Sequence, residues 1–163
     1  MNRAPDRTTS GVDVDSIAVG DVLPRLDLPL TVYRLVMAAG SNRDFNSIHH
    51  NSEYARSTGA GEMYANTSFL MSAWERVVRD WAGDAARIRS IRGFRMRAFN
   101  YVGDTTRVLG EVSDVKDDGD DRVVEVRVHC ENSSGVTVGP GSVVVAIPRT
   151  PAVDRNDIGR TTE

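Results

Sequence analysis

Between residues 66 and 83 apolar side chains recur at helical spacing; from residue 94 the spacing falls to two. In "NTSFLMSAWERVVRDWAG" they stand at Phe69/Leu70, Ala73/Trp74, Val77/Val78 and Trp81. That is one buried stripe on a long helix. Asn66 or Thr67 supplies the N-cap, Gly83 the stop, and Glu75 and Arg79 form an i,i+4 pair on the polar face. Downstream, Phe94, Met96 and Ala98 alternate with Arg95, Arg97 and Phe99, so this stretch reads as a strand. "YVGDT" reads as a turn, "TRVLGEVSDV" as a strand and "KDDGDD" as a hairpin tip. In "VVEVRVHCEN", Val124, Val126, Val128 and Cys130 share one face, and Glu125, Arg127, His129 and Glu131 the other. "SSG" turns the chain into "SVVVAI", a more fully buried strand. A helix this long cannot bury its stripe alone, and the strands that follow must cover it.

The residues before the helix are shorter in period. Gly20-Asp21 marks a turn, and the Pro-interrupted apolar stretch after it reads as a short edge strand. Thr31 caps a short helix, "VYRLVMAAG", stopped by Gly40. "NSEYARSTG" reads as a second short helix, capped by Asn51 or Ser52 and stopped by Gly59. At 163 residues the chain fits one domain. We expect disordered polar tails at 1–16 and 149–163 around a domain at 17–148. The fold class is α+β: one long helix wrapped by a curved antiparallel sheet, with at least four consecutive strands in a meander. This is the hot-dog arrangement, and its open sheet edges call for a second chain.

Composition excludes several functions. The net charge is −3, so the basic excess of a nucleic-acid binder is missing. No apolar run reaches the ~18 residues of a membrane span, and the first residues lack the apolar core of a signal peptide. A single cysteine, Cys130, forbids an internal disulfide. The expected setting is the cytoplasm. No glycine-rich nucleotide loop occurs, and the three histidines lack the spacing of a zinc site. No metal or other cofactor is expected. The arginines at 87, 89, 92, 95 and 97 read as a solvated strand face, with contact to phosphates as the alternative.

One segment carries chemistry: "RDFNSIHH", residues 43–50, which holds two of the three histidines. Asp44 and His49 can hold a water between a carboxylate and an imidazole, one taking a proton and the other returning one. The spacing alone also fits a capped turn with a solvated histidine. The position argues further. The segment precedes the long helix by some sixteen residues, close enough to fold back beside its N-terminus. Free N–H groups and a partial positive charge there would steady an enolate oxygen. His50, adjacent on a turn, is expected to face solvent, and His129 to be a surface residue. Trp74 and Trp81 read as core, and Phe69 or Leu70 as the lining of an acyl pocket.

"RDFNSIHHNSEYARSTGAG" resembles the MaoC-like (R)-specific enoyl-CoA hydratases, whose signature runs S-G-D-x-N-P-I/L-H-x-D/N. Asp44 and His49 fall on that family's catalytic pair and Asn46 on its asparagine. "AVGDVLP" and "FRMRAFNYVGDTTRVLGEV" resemble its opening and its strand-turn-strand, so the likeness spans about 17–148. Two departures stand out. Ser47 replaces the family proline, and Asn66-Thr67-Ser68 replaces H-G-M/L at the helix start. The resemblance therefore implies an oxyanion role for the backbone N–H of Thr67, with Asn46, Asn66, Ser68 and Phe69 against the substrate. It implies an acyl-CoA substrate and an (R)-3-hydroxyacyl-CoA product. "RDFNSIHH" together with "RDWAG" is similar to the catalytic subunits of bacterial steroid side-chain enoyl-CoA hydratases. This implies a bulky acyl chain and either a homodimer or a hetero-oligomer with a second MaoC-like chain. A hot-dog thioesterase and a non-catalytic subunit that shapes a partner's pocket are the competing readings.

Overall fold

The computed structural model describes residues 11–149. Of the tails expected at 1–16 and 149–163, residues 1–10 and 150–163 lie outside the described residues. The described elements are β1 (Leu26–Pro29), α1 (Val32–Ser41), α2 (Ser52–Ser57), α3 (Thr67–Ala82), β2 (Arg87–Arg92), β3 (Thr105–Asp118), β4 (Asp121–Asn132) and β5 (Gly135–Pro148). Two 3₁₀ turns, Val14–Ser16 and Ser47–His49, complete them.

Helix α3 starts where Asn66 Oδ1 accepts from the Phe69 N–H (2.8 Å) and stops at Gly83, whose φ is 91°. Leu70, Ala73, Trp74, Val77 and Val78 are buried as the stripe requires, while Trp81 is half-buried at the end of the helix. The Glu75–Arg79 pair forms at 2.8 Å. The stripe lies against one face of a five-stranded antiparallel sheet ordered β1-β3-β4-β5-β2. Val124, Val126, Val128 and Cys130 of β4 are fully buried on that face. Trp74 sits at the centre: its indole N–H donates to Cys130 Sγ (3.2 Å), and its ring edge meets Phe94 with centroids 5.0 Å apart. Gly139 is needed beside it, because a Cβ there would lie 2.7 Å from Trp74 Cζ2. Burial of Cys130 pushes its thiol pKa up to about 12, so it serves as packing.

The sheet corrects two expectations. The meander has three strands, β3-β4-β5, not four; the strand after α3 pairs with β5 at the far edge. That strand lies in the arginine run at 87–92, not at 94–99. Gly93 at φ 68° turns the chain, and beyond it Met96 makes only a single bridge, to Val138. Arg97 and Ala98 N–H groups both go to one carbonyl, Thr137 O, so no regular ladder continues. Arg87 and Arg89 face solvent and pair with Asp121 and Asp118, as the solvated-face reading expects. Gly40 does not stop α1, which runs to Ser41 with Asn42 as its C-cap. Thr31 and Asn51 cap α1 and α2 as expected. Residues 14–16, expected as tail, form a 3₁₀ turn, and the Val12 N–H donates to Trp81 O (3.1 Å).

Candidate active site

The segment between α1 and α3 is built from caps. Asn42 closes α1, and the next residue, Arg43, turns the chain at φ 54°, a sparsely populated conformation for a side chain of this size. That turn lets the Asp44 N–H return to Ala39 O (2.9 Å) and fixes where the carboxylate leaves the backbone. Asn46 Oδ1 accepts from the Ile48 N–H (3.2 Å) and opens the 3₁₀ turn Ser47–His49. The turn buries His49 to 7% exposure and leaves His50 exposed.

Asp44 Oδ2 and His49 Nε2 stand 3.2 Å apart. The other ring nitrogen, Nδ1, donates to the Tyr64 carbonyl at 2.8 Å. A carbonyl oxygen only accepts, so Nδ1 keeps its proton and Nε2 is the nitrogen that exchanges one. A proton between Nε2 and Oδ2 is then shared by an imidazole and a carboxylate, the arrangement an acid/base pair needs. The Asp44 side chain keeps 37% exposure against 9% for His49, so the pair opens to solvent from the carboxylate side.

Tyr64 is the residue that the sequence reading missed. Its N–H donates to Ile48 O (3.3 Å) and its carbonyl takes His49, so one extended residue grips the turn from both sides. Its ring meets the His49 ring edge-on at 5.2 Å and continues into Phe99 (4.3 Å). Burial, with the nearby Tyr101 and the Asp44 charge, holds the Tyr64 hydroxyl above its ordinary pKa. The gripping groups belong to the backbone, so residue type carries no signal for them.

Tyr64 stands three residues before α3, which ties the pair to the helix start. A second tie is Asn42 Nδ2 donating to Asn66 Oδ1 (3.3 Å). The segment that holds Asp44 and His49 is therefore tied to the start of α3 through Asn42 and Tyr64. Asn66 is buried as the N-cap, and its Nδ2 has no partner. Its Oδ1 serves the Phe69 N–H and its carbonyl the Leu70 N–H. The N–H groups of Thr67 and Ser68 have no acceptor inside the helix, and both residues are exposed. The Ser68 carbonyl takes the Ser72 hydroxyl (2.8 Å). Phe69 is half-buried and lines a groove of about 430 Å³ beside α1, whereas Leu70 is fully buried in the core. Asn46 is exposed and spends its side-chain oxygen as a cap. Among the described residues no cluster of three His, Cys, Asp or Glu could hold a metal ion, and no helix is long and apolar enough to cross a membrane.

No family model matches the chain. Over 117 residues it is 35% identical to the 3-oxo-4,17-pregnadiene-20-carboxyl-CoA hydratase beta subunit of Mycobacterium tuberculosis (strain ATCC 25618 / H37Rv), covering 72% of this chain and 87% of that one. The ChsH1-ChsH2 complex from Mycobacterium tuberculosis contains a similar chain, 33% identical, with a TM-score of 0.73 over 81% of this chain and 98% of that one. The MaoC-like dehydratase from Rhodospirillum rubrum shares the fold at 20% identity, with a TM-score of 0.67 over 86% and 99%. The chain belongs to the MaoC-like hydratase family. Its α+β fold is the hot-dog fold of that family, and the "RDFNSIHH" segment of the resemblance lies between α1 and α2 and contains the 3₁₀ turn Ser47–His49.

Proposed function

We propose that the chain is the catalytic subunit of an enoyl-CoA hydratase. It adds water across a trans-2-enoyl-CoA to give an (R)-3-hydroxyacyl-CoA and catalyses the reverse dehydration. The observation that carries this reading is the 3.2 Å approach of His49 Nε2 to Asp44 Oδ2, with Nδ1 committed to Tyr64 O. The two groups hold the water. One accepts the proton that the water releases as its oxygen bonds to the β-carbon; the other delivers a proton to the α-carbon. The thioester oxygen, carrying the enolate charge, is received by the backbone N–H of Thr67 at the positive end of α3. Each step moves only protons and a hydroxyl, so the proposed reaction uses no metal or redox cofactor.

The named relatives support a bulky acyl group and a second chain. One is a hydratase beta subunit acting on a pregnadiene carboxyl-CoA, and one similar chain comes from a two-protein complex. We place this chain in such a hetero-oligomer in the cytoplasm. The test is hydration by the complex as purified, read as loss of enoyl absorbance, with free CoA followed in parallel. Asp44→Asn and His49→Ala should each abolish most of the hydration while circular dichroism stays unchanged. Hydration unaltered by either substitution would leave this chain a non-catalytic subunit. CoA release without hydration would make it a thioesterase.

A further inference from the structure

Tyr64 lies between two segments. Its own N–H and carbonyl reach Ile48 and His49 on one side, while its neighbours bond to residues 100–102 on the other. The Ala65 N–H donates to Asn100 O (2.9 Å), the Val102 N–H donates to Met63 O (3.0 Å), and Tyr64 stands opposite Tyr101 in an antiparallel bridge. The carbonyl that receives His49 Nδ1 is therefore only as fixed as segment 100–102 behind it. That segment lies outside the named strands. At its downstream end the Gly103 N–H holds it to Leu30 O (2.8 Å); at its upstream end the anchor is the Asn100 side chain.

Asn100 is fully buried. Its Oδ1 accepts from the hydroxyls of Thr106 on β3 and Thr137 on β5 (2.9 Å each), and both threonines are fully buried as well. Thr106 continues the buried row of Val108 and Val112 along β3. Valine would fill the same space with less desolvation cost, because a buried hydroxyl or amide destabilises unless it is hydrogen-bonded. The Asn100 amide is not even fully satisfied: its Nδ2 has no partner. What the three polar groups supply is direction, since hydrogen bonds fix a geometry that apolar contact leaves free.

We propose that Asn100, Thr106 and Thr137 are positioning residues for the acid/base pair. Their buried cluster sets segment 100–102, through it the Tyr64 carbonyl, and through that the His49 ring with its proton on Nδ1. The inference rests on the enoyl-CoA reading above and deepens it, because none of the three shares a described hydrogen bond with Asp44 or His49. A carbonyl displaced from Nδ1 lets the neutral ring carry its proton on Nε2, and the nitrogen facing Asp44 then has no lone pair to accept one.

The test is the double substitution Thr106→Val with Thr137→Val, which keeps side-chain shape and removes both hydroxyls from Asn100. It is read on the complex as purified, in two ways. With the histidine ring nitrogens of this chain isotopically labelled, NMR reports the tautomer of each neutral ring, and a His49→Gln sample assigns the His49 signals. The wild type should show the Nδ1–H form and the double variant a mixture with Nε2–H. Hydration should lose about tenfold in kcat with KM within about twofold. Thr106→Ser with Thr137→Ser returns the hydroxyls and should recover both readouts. A merely structural role predicts the opposite order, because serine leaves a cavity that valine fills. Where the double valine variant does not fold, each single Thr→Val substitution carries the test, with the same tautomer shift and a loss of about threefold in kcat. A wild-type tautomer in the valine variants, an unaltered kcat despite a shifted tautomer, or a serine variant no better than the valine one would overturn the proposal. Absence of hydration by the wild-type complex would instead remove the enoyl-CoA reading, while the tautomer still decides whether the cluster positions His49.

Discussion

The face of the sheet against α3 and the segment from 42 to 66 are built by opposite rules. On the first, the buried positions are mostly apolar, and Val124, Val126, Val128 and Cys130 of β4 are entirely out of solvent. On the second, polar side chains and backbone groups set the geometry. Asn42, Asn46, Asn51 and Asn66 each spend a side chain on a cap or on another cap, and the buried histidine is held by a carbonyl. Apolar burial is non-directional, so the first region gains stability from area. Hydrogen bonds are directional and contribute little net stability, so the second region gains position. A strained residue at Arg43 and an unpartnered amide at Asn66 are tolerated only because the first region supplies the stability.

If this division holds, substitutions in the two regions should affect different measurements. The largest effect belongs to the acid/base pair. Asp44→Asn should lower the hydration rate by about 10²–10⁴-fold, the usual size of a lost general acid or base. Because the Asp44 side chain is 37% exposed, its unfolding free energy should move by less than about 1 kcal/mol. Trp74→Ala should do the reverse. It removes a fully buried ring together with the indole donor to Cys130, and urea unfolding should show a loss of about 3–5 kcal/mol. Protein that stays folded should retain a working pair. A Trp74 variant that is stable but inactive, or an Asp44 variant that is active but unstable, would break the division.

The same contrast explains what could be read without coordinates. The stripe on α3 and the alternation on β4 were legible because burial imposes a period, and Asn66 and Gly83 were legible because caps have side-chain signatures. The strand β2 was not. Its partner β5 lies some fifty residues away, and four of its six residues are polar or charged, so local pattern points instead to the more apolar 94–99. Only Gly93 and the crossing at Gly141 end β2 where it ends; a Cβ on Gly141 would lie 2.3 Å from Arg92 O. In the site, Asp44 and His49 were legible as residue types. The carbonyl that orients the imidazole was not, since every residue has one. Nor does any side chain announce that Arg43 must take a positive φ.

A smaller effect separates position from stability at a single residue. Asn66 is both the N-cap of α3 and the anchor of Asn42. Asn66→Ala should cost about 1 kcal/mol of stability, as N-caps do. It should also reduce hydration beyond what that destabilisation explains, because the helix start would no longer be tied to the residue two before Asp44. Asn66→Ser restores a cap oxygen but not the full reach to Asn42. Stability should recover more than rate, and equal recovery of both would argue that the tie has no catalytic consequence.

The smallest effect lies at the hairpin tip, where charges do what neither region does. The Arg122 hydrogen bond, helped by Arg149, holds the Asp117 carboxyl below its ordinary value of 3.8, and the Arg89 hydrogen bond does the same for Asp118. A pKa lowered by folding means that the unfolded chain binds protons first. The contribution is therefore complete above 3.8 and fades as the pH falls through 3.8 and below the folded values. Both carboxylates are exposed, so the contribution is screened by salt. Between neutral and strongly acidic pH, thermal unfolding of the wild type should fall slightly more steeply than that of an Asp117→Asn, Asp118→Asn double variant. The difference should shrink at about 1 M salt. Hydration near neutral pH should not respond to the double substitution, because the tip shares no described hydrogen bond with the segment that holds Asp44 and His49. A change in rate there would show that the hairpin tip and the site are coupled through the sheet.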